Sequence, residues 1–139
     1  MKVLNFGSLN IDYTYQVEHI VNPKETISSL GLEVFPGGKG LNQSIALAKA
    51  GAEVYHAGLI GEDGLFLKEV CSSNHVHTDY IKRIRYADRK CDHSGEQRRR
   101  KQHYLVSRGK PVRIRRHMWM RCWDILEEGD ILLLQNEIK

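Results

Sequence analysis

The sequence predicts an α/β fold: a mainly parallel sheet with flanking helices and a small β-flap beside it. Three observations carry this. Short apolar runs end in glycine turns, at Lys2–Phe6 before Gly7-Ser8 and at 54–60 before Gly61-Glu62-Asp63-Gly64. The hydrophobic period changes from two to 3.6 immediately after Pro36-Gly37-Gly38-Lys39-Gly40. Strand-like and helix-like segments then alternate in series, the pattern of a sheet crossed by helices.

Taken in order, Lys2–Phe6 reads as a buried parallel strand running into a loop at its carboxyl end. Residues 13–21 alternate, with Tyr13, Tyr15 and Val17 on one side and Thr14, Gln16 and Glu18 on the other, as in a half-exposed strand. After the turn-like Asn22-Pro23-Lys24, residues 28–35 give a second such strand through Leu30, Leu32 and Val34. This pair interrupts the strand–helix series and forms the predicted flap. From Leu41 onward Leu41, Ile45, Ala48 and Ala52 share one helical face, and Gly51 stands where that helix stops. A strand over 54–60, a helix over 65–73 with Leu67 and Val70 inward, and a β-like stretch over 76–84 follow.

A chain of 139 residues suits one domain and buries roughly two thirds of its unfolded surface. It has no apolar run of about 18 residues and no leader pattern, so the expectation is a cytoplasmic protein without membrane contact. Cys71, Cys91 and Cys122 are widely spaced and read as buried or idle thiols. Cys91 and His93 lack two further ligands for zinc, and no metal site is expected. Net charge is +4 but unevenly spread. Residues 85–123 hold 13 of the 21 Lys and Arg and 3 of the 17 Asp and Glu, a local charge of +10, and the rest carries −6. A nucleic-acid-binding role for this insert would call for interleaved aromatics, and Tyr104, Trp119 and Trp123 are too scattered to supply them.

The stretch Gly37-Gly38-Lys39-Gly40-Leu41-Asn42-Gln43 is the chief candidate site. Adjacent glycines permit φ > 0 and close backbone approach, the helix that follows presents free N–H groups, and Lys39, Asn42 and Gln43 add polar groups at the same mouth. It is neither a Walker A loop nor a dinucleotide turn. Asn10 and Asp12, in Gly7-Ser8-Leu9-Asn10-Ile11-Asp12, lie at the carboxyl end of the first strand, where α/β sheets bind ligands. A carboxylate there accepts hydroxyl hydrogen bonds strongly, as a sugar site requires.

These two motifs, with Ala57-Gly58-Leu59-Ile60-Gly61-Glu62-Asp63-Gly64 as a third, resemble the amino-terminal part of the PfkB carbohydrate kinases over residues 1–84, and most of all the ribokinase type. The resemblance implies a ribokinase-like fold whose β-flap is a lid. It also implies sugar contacts from Asn10, Asp12, Gly38, Lys39 and Asn42, joined by Glu137 at the end of Leu132-Leu133-Leu134-Gln135-Asn136-Glu137. Ribose is the implied sugar, and dimerisation through the lid the implied assembly. ATP and Mg²⁺ serve the intact family; neither is expected to bind well here. The family's general base sits in a later Gly-Ala-Gly-Asp loop, so no catalytic residue is expected within these residues, and the chain reads as truncated and inactive on its own. A non-catalytic sugar-binding remnant is the alternative. One departure is Pro23-Lys24-Glu25, where the family usually has Pro-Gly-Glu, and a strained lid turn is expected.

Residues 85–126 do not resemble the family, and the likeness resumes over 127–139. Back-translated and read one base later, residues 90–111 can encode Asn-Ala-Ile-Ile-Gln-Val-Asn-Lys-Glu-Gly-Glu-Asn-Ser-Ile-Ile-Leu-Phe-Pro-Gly-Gly-Asn-Arg. That resembles the family's lid strands and Gly-Gly-Asn loop. Read two bases later, residues 117–124 can give Tyr-Val-Asp-Ala-Val-Leu-Gly-Tyr, and the single codons of Met118, Trp119 and Met120 largely force its Val-Asp-Ala. The basic segment is therefore read as an out-of-frame product, expected to pack poorly because apolar–polar alternation is lost.

Overall fold

The computed structural model describes residues 1–84, 90–95, 101–104 and 122–135; over 90–95 and 101–104 only the backbone is described. The elements are β1 (Lys2–Phe6), β2 (Asn10–Gln16), β3 (Gly31–Gly37), α1 (Lys39–Lys49), β4 (Glu53–Ile60), α2 (Leu65–Ser73), β5 (Val76–Arg83), β6 (Lys90–Gly95), β7 (Lys101–Tyr104) and β8 (Ile131–Leu134).

They form two four-stranded sheets. The first has order β5-β4-β1-β8 and is parallel throughout. Because strand residues alternate faces, the interior strand β1 feeds two cores. Val3 joins Leu41, Val54, Ile60, Leu67 and Cys71 beneath the helices. Leu4 and Phe6 join Ala57 and Cys122 on the opposite face. The predicted inward positions of α2 hold at Leu67, but Cys71 rather than Val70 is the second fully buried residue, one turn further along the same face.

The second sheet has order β3-β2-β6-β7 and is the predicted flap. Its boundaries differ from those expected at 13–21 and 28–35. The antiparallel register runs from Asn10 opposite Gly37 to Gln16 opposite Gly31, so β2 starts and β3 ends at the glycine loop, and their far ends coincide. Cross-strand pairing, which local alternation does not encode, sets those ends. Pro36 is tolerated because β3 is an edge strand. The alternating face of β3 does not enter a core: Leu30, Leu32 and Val34 are 70%, 50% and 48% exposed.

Poor packing is the expectation across 85–123; the described part shows a backbone strand pair there, which counts against it. β6 lies parallel to β2 and antiparallel to β7. A ladder is made by backbone groups that every non-proline residue carries, so a flap edge can extend without apolar alternation.

Two turns behave as their sequences foretell. Gly51 (φ 89°) closes α1 in a Schellman motif, with Gly51 N donating to Ala48 O at 2.9 Å and Ala52 N to Leu47 O at 3.1 Å. Lys24 takes φ 72° in a turn with Pro23 before it and Glu25 N donating to Asn22 O at 3.0 Å, the type II arrangement that favours glycine. Glu25 fastens that turn, its carboxylate accepting from Asn22 N at 2.7 Å and Asn22 Nδ2 at 3.0 Å and meeting His19 Nε2 at 2.8 Å. The Asn22 amide first, then His19, holds Glu25 below the usual carboxylate range.

Candidate functional site

β1 ends at Phe6, and Gly7-Ser8-Leu9 carry the chain into β2. Here the strand end meets the start of α1 backbone to backbone: a Cβ on Gly7 would overlap the Gly40 Cα, and one on Gly40 would overlap Gly7 and the Ser8 nitrogen. Only glycine at both positions allows that approach. Gly38, at φ 107°, lies so close to Ser8 that a Cβ would come 2.5 Å from its carbonyl oxygen and 3.1 Å from Asn10 N. Ser8 O in turn accepts from Leu41 N at 3.1 Å. The helix starts without a side-chain cap or an acidic residue in its first turn, which leaves its positive end to a ligand.

The register of β2 and β3 then brings in Asp12. Its carboxylate lies over Gly37, where a Cβ would overlap the carboxylate atoms. Asn10 stands opposite Gly37 in the ladder. Asn10, Asp12 and Gly38 are thus gathered at one point. Lys39 and Asn42 are exposed on the first turn of α1, three residues apart and so neighbours on the helix surface, with Asn42 N donating to Gly38 O at 3.1 Å. Of these, the Asp12 carboxylate is the group seated against the glycine loop, where it can accept from hydroxyl groups. Glu137 lies outside the described residues. Two positions before it, Gln135 reaches the same loop, its Oε1 accepting from Ser8 N at 3.1 Å and Ser8 Oγ at 3.3 Å. The sequence reading passed over Gln135, which arrives only because β8 pairs with β1 in a register placing Leu134 beside Phe6.

A buried polar group behind the loop was also missed. Asn5 on β1, Ser44 on α1 and His56 on β4 are fully buried. Asn5 Nδ2 donates to Gly40 O at 3.0 Å and to Ser44 Oγ at 2.9 Å, and Ser44 Oγ lies 2.7 Å from His56 Nδ1. His56 Nε2 is turned towards the Gly7 carbonyl without reaching good hydrogen-bond geometry, and Asn5 Oδ1 has no partner. Burial, far more than any neighbour, pushes the His56 pKa down from 6.5 to about 4, so the ring is neutral. The available signal was a polar residue inside each of two apolar strands, with Ser44 on the inner face of α1 beside Leu41 and Ala48.

Comparison with known proteins gives a consistent picture. The family described as pfkB family carbohydrate kinase matches residues 1–134. Ribokinase of Bacillus subtilis is 27% identical over 138 residues, covering 95% of this chain and 45% of that protein. Ribokinase of Staphylococcus aureus is 39% identical over 83 residues, covering 58% of this chain and 27% of that one. The crystal structure of ribokinase from Cryptococcus neoformans in complex with ADP superposes with a TM-score of 0.74 at 34% identity, covering 98% of this chain and 41% of that one. The chain thus spans less than half the length of each of these relatives.

Proposed function

The chain belongs to the pfkB family of carbohydrate kinases, and on that premise we propose that it carries the sugar-binding part of a ribokinase-like site whose ligand is ribose. Asn10, Asp12, Gly38, Lys39 and Asn42 are the proposed contacts, with Glu137 joining them. The observation that carries this reading is the seating of the Asp12 carboxylate over Gly37, beside the Gly38 turn and Asn10. It sets a strong acceptor against a glycine loop and an uncapped helix start, which suits vicinal hydroxyls. The named relatives are ribokinases, and that supports ribose.

ATP is the phosphate donor proposed for the whole enzyme, supported by the ADP held by the Cryptococcus relative. These residues do not fit that group themselves. The Gly-Ala-Gly-Asp loop that the family resemblance assigns to base and phosphates is not among residues 1–139. The 139-residue chain alone is proposed to bind ribose weakly without phosphorylating it, in the cytoplasm. The exposed Leu30, Leu32 and Val34 of the lid support a homodimer formed through that sheet.

The test is calorimetry with ribose, alongside ATP consumption with ribose present. Binding that Asp12→Ala abolishes, without turnover, is the expected result. Turnover that survives removal of contaminating kinases and disappears in Asp12→Ala would overturn the inactive reading.

A further inference from the structure

The buried group behind the glycine loop has a definite sense. An Asn carboxamide nitrogen only donates, so Ser44 Oγ accepts from Asn5 Nδ2 at 2.9 Å. Ser44 Oγ also lies 2.7 Å from His56 Nδ1, and its one hydroxyl proton is donated there when Nδ1 is the unprotonated nitrogen. In that sense of the contact the His56 proton resides on Nε2. With the second bond from Asn5 Nδ2 to Gly40 O at 3.0 Å, the chain runs from the Gly40 carbonyl through Asn5 and Ser44 to His56, whose Nε2 makes no hydrogen bond of its own. Gly40, which Asn5 holds, meets the backbone of Gly7, two residues after Asn5 on the same strand end. Asn10 and Asp12 follow Gly7, and Gly38, Lys39 and Asn42 flank Gly40.

We propose that Asn5, Ser44 and His56 are positioning residues for the sugar site, a tautomer-fixed polar staple that sets the glycine-loop half of the site against the β2 half. None of the three is itself a proposed sugar contact. Their polarity is not needed for packing, since an apolar trio of similar shape would fill the same space without orphaned atoms such as Asn5 Oδ1. The polar version contributes direction: each bond has one donor and one acceptor, so only one placement of α1 on β1 and β4 satisfies the chain. This inference rests on the ribose reading for its functional consequence, but not for its geometry.

The experiment uses the 139-residue chain and three variants: Ser44→Ala, the apolar triple Asn5→Val with Ser44→Ala and His56→Phe, and Asp12→Ala. Long-range proton–nitrogen spectra of the His56 ring at neutral pH should show Nε2 protonated and Nδ1 as acceptor. A proton on Nδ1 overturns the proposal. The triple variant should melt near the native temperature, yet shift the backbone amide resonances of 7–10 and 38–42 and weaken ribose binding roughly tenfold. A triple variant with unmoved loop resonances and native affinity overturns it, because the staple would then be packing alone. If the triple does not fold, Ser44→Ala, which removes one hydroxyl, is read by the same resonances and the same titration. A native chain that ignores ribose while the tautomer and resonance shifts follow would sink the ribose reading and leave the staple standing; binding lost in Asp12→Ala but unchanged in the folded variants would do the reverse.

Discussion

At the scale of single residues, the site is built from what glycine permits and what other residues there are strained to do. Lys24 holds φ 72° in a turn that favours glycine at that position, at a cost of about 1–2 kcal/mol for a side-chain-bearing residue. Lys24→Gly should therefore raise stability by about 1 kcal/mol once the greater freedom of unfolded glycine is set against the relief. Urea denaturation reads this, and a loss of stability would show that the turn is not strained. Gly37 and Gly40 should separate function from folding. At Gly40 an added methyl meets the Gly7 backbone, which cannot give way, so Gly40→Ala should cost about 2–3 kcal/mol or prevent folding. At Gly37 the nearest atoms it meets are those of the Asp12 carboxylate, a side chain rather than backbone, so Gly37→Ala should keep more of its melting temperature than Gly40→Ala while losing ribose affinity. Equal stability losses in the two variants would refute that distinction. Burial raises the Cys71 thiol to about 11 and raises Cys122 as well, so neither should react with a thiol reagent at neutral pH until the chain unfolds. Rapid native labelling of Cys71 would show the helix-side core to be open.

At the scale of elements, the interface of α1 with β1 and β4 is held by the Asn5, Ser44 and His56 group as well as by apolar contact. This gives it a pH dependence of known sign. The folded pKa of His56 is depressed to about 4 from 6.5, so between those values the unfolded chain binds a proton that the folded chain refuses. Stability from this residue is complete above about pH 6.5 and is lost progressively as pH falls towards 4, by about 3 kcal/mol in all. His56→Phe should flatten the stability curve in that window relative to the native chain. Identical slopes for the two proteins would mean that His56 is reached by water. Element boundaries teach a related point. The starts of β2 and β3 were misplaced by a reading of alternation, because their ends are fixed by the ladder between them.

At the scale of the whole molecule, two sheets share one glycine loop, and the chain spans 45% of its Bacillus relative and 41% of its Cryptococcus one. The proposal that residues 85–126 are read out of frame belongs here. The strand pair β6–β7 counts against the expected poor packing, but it leaves the codon argument untouched. The family match over residues 1–134 runs through the segment and lends the out-of-frame reading no support. The gene should show small insertions or deletions flanking the segment, and a Gly-x-Gly-Asp codon string downstream in some frame. An intact frame in close relatives encoding the basic residues one for one would end the idea. Restoring the frame should recover alternating strands and raise the melting temperature, as measured by thermal denaturation.

The sequence by itself determined the fold class, the family resemblance, the helix start at the glycine loop, its stop at Gly51 and the strain at Lys24, because each depends on local period, turn chemistry or a short motif. It also named Asn10, Asp12 and Gly38, which the register of β2 and β3 sets beside the glycine loop, and Lys39 and Asn42 on the first turn of the helix that follows. Only the tertiary structure decided that Gly7 and Gly40 must touch, that Gln135 reaches Ser8 from a strand more than a hundred residues away, and that Asn5, Ser44 and His56 join in one buried chain. Those contacts link residues distant in sequence through the register of parallel strands, and register is a property of pairs of strands that no single segment records.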